Sequence, residues 1–181
     1  MPRLFVAIEF PPQVSAELAR LRPPALPGVR LSRQEQLHLT LHFIGEAGIA
    51  PVAAALQEVI AAPFGLRLDG LGQFRASGGG HTLWAGVEGN DELLALHAVV
   101  AQALAVTDYL RDARRYRPHV TLARCRPEVS ADVIKSFLGQ TSTLSYEVVP
   151  VTGFALYSSS ATAEGSIYHC EQRYRLQSLS P

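Results

Sequence analysis

Two copies of one short pattern combine the residue types that exchange protons and bind anions. Residues 38–41 (HLTL) and residues 119–122 (HVTL) both read His-x-Thr-Leu. With 6 histidines in 181 residues, the composition gives only about 0.035 expected copies of this pattern. Coincidence is therefore a poor explanation. An imidazole changes its protonation state near neutral pH, and a hydroxyl donates hydrogen bonds to anionic oxygens.

Both tetrapeptides lie in apolar runs that are typical of β-strands. Because side chains two residues apart share one face of a strand, His38 points with Thr40, and His119 points with Thr121. Two such strands side by side present two imidazoles and two hydroxyls to one cleft. This set suits phosphodiester cleavage, in which a neutral imidazole takes a proton from water and a protonated one gives a proton to the leaving oxygen. The hydroxyls can hold the phosphate oxygens.

Arginines cluster around the second copy. Only one of the 16 basic residues is a lysine, and six arginines with one acidic residue lie between positions 111 and 126: Arg111, Arg114, Arg115, Arg117, Arg124 and Arg126. The planar guanidinium suits phosphate oxygens, so the cluster indicates an anionic ligand. The alternative is a composition in which arginine replaces lysine throughout the chain, and both explanations stay open.

The predicted elements alternate in two similar blocks. Predicted strands cover residues 3–10, 29–32, 37–44, 64–71, 82–88, 118–124, 145–151, 153–157 and 166–176. Predicted helices begin at Pro12, cover residues 51–62, run from Asn90 or Asp91 to about residue 106, and follow Ser130 to residue 138. Several links are as short as hairpins, which favours antiparallel pairing. We expect an α+β fold with two antiparallel-sheet lobes and flanking helices around a central cleft.

Composition excludes several classes of protein. The net charge is zero, 48% of the residues are apolar and 18% are charged, which argues against disorder. No apolar run approaches the ~20 residues of a membrane span, so we expect a cytoplasmic protein with no membrane partner. Two cysteines exclude a disulfide framework, and without a Cys-x-x-Cys pair or a carboxylate cluster we expect no metal and no cofactor. We also expect a monomer, with residues 1–181 forming a single bilobal domain whose internal boundary lies near residues 75–90.

Four segments resemble one known family, the 2H phosphoesterases, and within it the RNA 2′,3′-cyclic phosphodiesterases, also called 2′-5′ RNA ligases. They are residues 3–11 (RLFVAIEFP), 37–46 (LHLTLHFIGE), 83–89 (LWAGVEG) and 116–126 (YRPHVTLARCR). The resemblance implies a bilobal α+β fold and no metal requirement. It also implies RNA with a 2′,3′-cyclic phosphate as substrate, a 2′-phosphate as product, and ATP-independent joining of RNA ends through 2′-5′ linkages.

The same resemblance assigns roles to the repeated residues. It implies that His38 donates a proton to the leaving 3′-oxygen, that His119 accepts a proton from water, and that Thr40 and Thr121 complete the catalytic set. The reverse division of roles stays open, because the two imidazoles occupy equivalent strands. Arg124 is a candidate phosphate contact. Strict alternation puts it on the face opposite His119, so either the strand is irregular there or Arg124 is structural.

Further substrate contacts are expected around both motifs. Arg117 is a candidate for the phosphate backbone, and Tyr116 for stacking on a base. His42 lies two residues after Thr40, which by alternation directs it into the cleft as a solvated or phosphate-steering group, whereas Phe43 is expected in the core. Three alternatives remain: the same machinery acting on small cyclic nucleotides or ADP-ribose cyclic phosphate, a non-catalytic module that binds single-stranded RNA, and burial of both motif histidines in the core.

Overall fold

One antiparallel sheet organises the chain. The computed structural model describes residues 1–107, 109, 115–140, 148–162 and 165–177. The strands are β1 (Arg3–Glu9), β2 (Val29–Leu31), β3 (His38–Glu46), β4 (Phe64–Leu66), β5 (Leu68–Arg75), β6 (His81–Val87), β7 (His119–Cys125), β8 (Val149–Val151), β9 (Gly153–Thr162) and β10 (Gly165–Arg175). Eight of them form a sheet in the order β10-β9-β1-β3-β7-β6-β5, with β2 paired to β7, while β4 and β8 form a separate pair. The expected α+β class with antiparallel pairing is confirmed.

Four α-helices and one short 3₁₀ helix are described. They are α1 (Pro12–Arg20), the 3₁₀ turn Gln34–Gln36, α2 (Ile49–Gln57), α3 (Asp91–Leu104) and α4 (Ala131–Leu138). Two predicted caps are confirmed: the Asn90 side chain accepts a hydrogen bond from the Leu93 amide, and the Ser130 hydroxyl accepts one from the Asp132 amide. None of the described helices is both long and apolar enough to cross a bilayer.

The second α-helix is shorter than the sequence predicts. It ends at Gln57 instead of residue 62, and the amides of Glu58 and Val59 bond to carbonyls three residues back, which tightens the last turn. Pro63 disfavours helical backbone at the residue before it, so the chain leaves the helix early to enter β4. Ile60, three residues past the end of the helix, is 55% exposed.

The order of elements repeats along the chain. Omitting β2 and β10, the series strand, helix, strand, helix, strand, strand occurs first from β1 to β5 and again from β6 to β9. The two series exchange their last strands, since β5 pairs with β6 and β9 pairs with β1. The half that contains β3 is thus built from both ends of the chain, and the half that contains β7 is built from its middle.

The core lies on one face of the sheet, between the strands and the helices. α3 contacts β3, α4 contacts β5 and α2 contacts β10. The apolar residues of the motif strands point to this side and are fully buried, among them Leu39, Val120 and Leu122. Their burial, worth roughly 1.5–3 kcal/mol for each large side chain, fixes which face of β3 and β7 is turned outward.

Candidate active site

The two motif strands meet along a single residue pair. Leu39 of β3 lies opposite Val120 of β7, and this is the one ladder pair between these fully described strands. Both side chains are buried, so the flanking motif residues project from the opposite face. There the histidines and threonines of both motifs line one cavity of about 2010 Å³. The structure therefore brings the two predicted His-Thr pairs into a common cleft.

Each motif histidine is held by a main-chain carbonyl two residues before it. His38 Nδ1 donates to the Gln36 carbonyl at 2.6 Å, and His119 Nδ1 donates to the Arg117 carbonyl at 2.7 Å. A carbonyl oxygen only accepts, so the hydrogen of the neutral ring is on Nδ1 in both residues. Nε2 is then left to take up or release a proton. The two motifs thus have the same tautomer for the same reason.

Burial keeps both imidazoles neutral in the free protein. It lowers the pKa of His38 to about 4, against a smaller opposing effect of the Gln36 carbonyl, and the charge of His119 when that ring is protonated and the charge of Arg124 lower it further. Burial also lowers the pKa of His119, as does the charge of Arg124. Arg124 lines the same cleft as both histidines, which is consistent with this effect on both rings.

Aromatic side chains surround the His38 ring. Phe5 packs 5.0 Å from it, and Tyr168 of β10 meets it edge-on at 5.4 Å. Tyr157 of β9 lies 6.4 Å away and stacks on Phe5. This packing is the physical source of the desolvation that lowers the pKa of His38.

Two other rings pack against His119. Phe74 meets it edge-on at 4.8 Å, and Trp84 lies 6.2 Å away. The Trp84 ring lies directly over Gly72, where a Cβ atom would come within 2.1 Å of it. Glycine at this position of β5 is what allows the indole to reach His119.

A β-bulge decides where Arg124 points. In the pairing of β6 with β7, Leu83 lies opposite Ala123 but Trp84 lies opposite Thr121, so Leu122 is an extra residue. A bulge shifts the alternation by one position. Leu122 and Ala123 are accordingly both buried, and Arg124 is exposed on the cleft side, where its guanidinium donates to the Thr82 hydroxyl at 3.3 Å. Of the two explanations left open for Arg124, the structure shows the irregular strand.

A matching bulge in β3 overturns the expected placement of two side chains. Val6 pairs with His42 and Ala7 with Thr40, which makes Leu41 the extra residue. His42, predicted to project into the cleft as a solvated group, is instead only 4% exposed, and Phe43, expected in the core, is 63% exposed. Phe43 lines the cleft with its ring 6.2 Å from that of Phe5. The expected exposure of His42 and the expected burial of Phe43 were wrong because they assumed unbroken alternation, although His42 does line the cleft.

His42 belongs to a cluster of stacked rings beneath the first motif. Its Nδ1 bonds with the Tyr109 hydroxyl at 2.8 Å and its Nε2 with the His97 carbonyl at 2.7 Å. The His97 ring stacks between His42 and Tyr116, at 4.1 Å and 4.0 Å. The Tyr116 hydroxyl donates to the Thr40 carbonyl at 3.0 Å. Tyr116, predicted as a base-stacking residue, here packs on α3 and supports the first motif.

The remaining arginines of the cluster lie at the approach to the second motif. Arg115 and Arg117 are exposed and line the cleft, and the Arg117 carbonyl also holds His119. Arg126 lies at the end of β7, 3.9 Å from Glu128. Arg111 and Arg114 lie outside the described residues. Among the described residues there is no group of three or more His, Cys, Asp or Glu that could hold a metal ion.

Several residues that line the cleft belong to no sequence motif. Thr82, Phe74 and Tyr168 enter the cleft from β6, β5 and β10. Their contributions depend on which strands pair and in what register, and a single sequence does not contain that information. Thr82 gave only one signal, its place in a run already identified as a strand.

Comparison with known families agrees with this geometry. A family model described as the 2′-5′ RNA ligase superfamily matches residues 10–163, which includes both motif strands. The chain belongs to this superfamily. The family assignment based on the four resembling segments is therefore confirmed.

Curated members of the superfamily cover almost the whole chain. A protein of Archaeoglobus fulgidus named RNA 2′,3′-cyclic phosphodiesterase is 31% identical over 174 residues, which span 92% of this chain and 96% of that one. A protein of Aeropyrum pernix with the same name is 33% identical over 159 residues, spanning 83% and 90%.

Solved structures of the superfamily share the fold. A structure from Thermus thermophilus is 28% identical, with a TM-score of 0.76 over 96% of this chain and 97% of that one. E. coli LigT in complex with 3′-AMP is 24% identical, with a TM-score of 0.76 over 98% and 99%. The LigT likeness extends the agreement in fold to a more distant relative.

Proposed function

We propose that the protein is an RNA 2′,3′-cyclic phosphodiesterase that opens terminal cyclic phosphates to leave 2′-phosphates. The observation that carries the proposal is the pair of imidazoles in one cleft, each with Nδ1 bonded to the carbonyl two residues before it and Nε2 available. One base and one acid are what hydrolysis of a phosphodiester needs. Relatives that cover most of the chain are named for this activity.

In the proposed reaction, His119 Nε2 takes a proton from the attacking water as its oxygen bonds to phosphorus. The bond between phosphorus and the 3′-oxygen breaks, and His38 Nε2 gives its proton to that oxygen. The Thr40 and Thr121 hydroxyls donate to the non-bridging oxygens, and Arg124 offsets their growing negative charge. A 5′-hydroxyl of a second RNA in place of water gives a 2′-5′ linkage by the same proton transfers.

The acid must acquire its proton in the complex. His38 has a pKa of about 4 in the free protein, so at neutral pH it is deprotonated. An anionic phosphate against the ring favours the charged imidazole and raises that pKa. Substrate binding and loading of the acid are therefore coupled, which protects the enzyme from holding an uncompensated buried charge when the cleft is empty.

The test is to incubate the purified protein, in excess EDTA, with a short RNA that ends in a 2′,3′-cyclic phosphate. A 2′-phosphomonoester is the expected product, together with 2′-5′-joined RNA when a 5′-hydroxyl acceptor is added. A 3′-phosphomonoester would show that the other bond breaks. Turnover only of adenosine 2′,3′-cyclic phosphate or ADP-ribose cyclic phosphate would identify a small-molecule enzyme, and salt-sensitive RNA binding without product would identify a binding module.

The same proposal includes a monomer that works in the cytoplasm. A net charge of zero and the lack of any heptad pattern in the sequence point to no particular partner. Sedimentation at several protein concentrations is expected to give one species of 19.6 kDa. An oligomer in which two subunits contribute residues to one cleft would overturn this part of the proposal.

A further inference from the structure

A second, smaller cavity opens from the cleft beside His38. It has a volume of about 280 Å³, and its lining includes Arg30, Arg33 and Arg124. Gln36, Ser166 and Arg124 line both this cavity and the large cleft, so the two spaces are continuous. No carboxylate lines the small cavity among the described residues.

Arg30 is placed unfavourably unless an anion binds beside it. On adjacent antiparallel strands it lies directly opposite Arg124, and like charges in that position destabilise a sheet. Within the described part of the chain, no salt bridge engages either side chain, and Arg33 pairs with the exposed Glu35 at 3.8 Å and donates to the Gln36 side-chain oxygen at 3.4 Å. Gly165 lies next to Arg30, since a Cβ atom there would be 3.8 Å from Arg30 Cδ. The cavity therefore concentrates positive charge that the described residues lining it do not neutralise.

Gln36 links the small cavity to the reacting groups. Its carbonyl accepts from His38 Nδ1 at 2.6 Å, and its side-chain amide donates to the Ser166 carbonyl at 2.7 Å. Arg124 is shared in the same way, since its charge acts on both motif histidines while its side chain lines the small cavity. The small cavity thus begins where the site for the reacting phosphate ends.

We propose that Arg30, with Arg33 and the near side of Arg124, binds a second phosphate of the substrate, the one on the 5′-oxygen of the terminal nucleotide. This inference rests on the proposed function and narrows its substrate class. In an RNA the next anion after the cyclic phosphate is this 5′-phosphate, one ribose away. The site would therefore select chain ends and 5′-phosphorylated nucleotides over cyclic nucleotides that have a free 5′-hydroxyl.

The experiment compares adenosine 2′,3′-cyclic phosphate with and without a 5′-phosphate. We expect the wild-type protein to have a kcat/KM at least about tenfold higher for the 5′-phosphorylated compound, the size of one charge-assisted contact to phosphate. Arg30→Ala should bring this ratio close to one. Arg175→Ala removes an exposed arginine that lines neither cavity, and should keep the wild-type ratio.

A binding measurement separates failure of the subsite from failure of the proposed function. Calorimetry with adenosine 2′,5′-bisphosphate and adenosine 2′-monophosphate needs no turnover, and the wild-type protein should prefer the bisphosphate where Arg30→Ala does not. Loss of turnover with this preference intact would refute the reaction and keep the subsite. An equal affinity for both ligands in the wild-type protein, or an unchanged preference in Arg30→Ala, would overturn the subsite. Thermal unfolding without ligand should show Arg30→Ala at least as stable as wild type, because repulsion from Arg124 is removed.

Discussion

The two halves of the sheet present the same His-Thr pair in different surroundings. Strand register makes Phe43 of the first half the counterpart of Arg124 in the second, since each follows its motif threonine after a one-residue bulge. Across the strand pair, Phe43 faces Phe5, whereas Arg124 faces Thr82. One half therefore offers the cleft an apolar aromatic edge and the other a charged, hydrogen-bonding edge. The motif is the same in both halves, and the polarity of the residues that flank it differs.

The same asymmetry extends to the histidines. Among the described residues, three rings pack around His38 and two around His119. Burial lowers both pKa values, and that of His38 falls to about 4. His38 and His119 thus occupy equivalent positions but pack against different side chains. Different packing gives different desolvation, and this allows the two pKa values to differ.

Substitution of the two motif histidines should have the largest effect on activity. His38→Ala and His119→Ala should each lower kcat by about 10²–10⁴-fold, the usual contribution of a positioned acid or base. An RNA with sulfur in place of the leaving 3′-oxygen separates the roles, because a thiolate leaves without an acid. With this substrate most of the loss in His38→Ala should disappear, while that in His119→Ala should remain. The opposite result would exchange the two roles.

Substitution of Arg124 removes the charged edge of the cleft and should have the next largest effect. Arg124→Gln should lower kcat/KM by about 10- to 100-fold, since a charge-assisted contact to phosphate is lost. Because the Arg124 charge lowers the pKa of both histidines, its removal raises both, and the pH maximum of kcat/KM moves upward. In the wild-type protein that maximum should lie below ~6.5, the ordinary imidazole pKa. A full pH profile of both proteins checks the shift, and an unchanged maximum would mean that Arg124 lies far from the rings.

Substitution of Phe43, at the aromatic edge of the cleft, should have a smaller effect, mainly on KM. Phe43→Ala should raise KM about 5- to 100-fold if a base stacks on the ring, with a lesser change in kcat. Phe43→Trp should retain the wild-type KM. The decisive control is ribose 2′,3′-cyclic phosphate, which has no base, and for which Phe43→Ala should match the wild-type protein. A deficit on this substrate too would assign Phe43 to folding of the strand.

The smallest effect concerns stability at the edge of the first half. Arg173 donates to both Glu9 oxygens, at 2.8 and 2.9 Å, and this hydrogen bonding lowers the pKa of Glu9. A lowered carboxyl pKa stabilises the fold above the unfolded value of about 4.3, and this stabilisation is lost as pH falls. The pair is solvent-exposed, so Glu9→Gln should cost only about 0.5–1 kcal/mol at pH 7 and nothing near pH 3. Thermal unfolding measures this, with Glu58→Gln, an exposed glutamate, as the matched control; an equal loss at both pH values would exclude the ion pair as the cause.

Local chemistry explains why much of this fold was predictable. The helix caps at Asn90 and Ser130 and the strand positions of both motifs follow from residue types and short-range periodicity, whereas the predicted strand 64–71 is divided between β4 and β5. The histidines and threonines share a face over only three residues, a span too short for an irregularity to intervene. The motif side chains therefore came together in the cleft as expected.

The flanks could not be predicted because they lie beyond a bulge. A bulge is a property of two paired strands, and nothing in residues 41 or 122 alone indicates that each is the extra one. One added residue exchanged the expected faces of His42 and Phe43 and turned Arg124 toward the histidines. Thr82 and Tyr168 were missed for a related reason, since strands far apart in the chain bring them to the site.

The single ladder pair between Leu39 and Val120 makes the centre of the sheet its most compliant line. Neighbouring strands elsewhere in the sheet are joined over three to ten pairs, so bending concentrates where only one exists. Each histidine is bonded to a carbonyl of its own segment and travels with its own half. We therefore expect bending along this line to change the distance between the two Nε2 atoms while each ring keeps its tautomer.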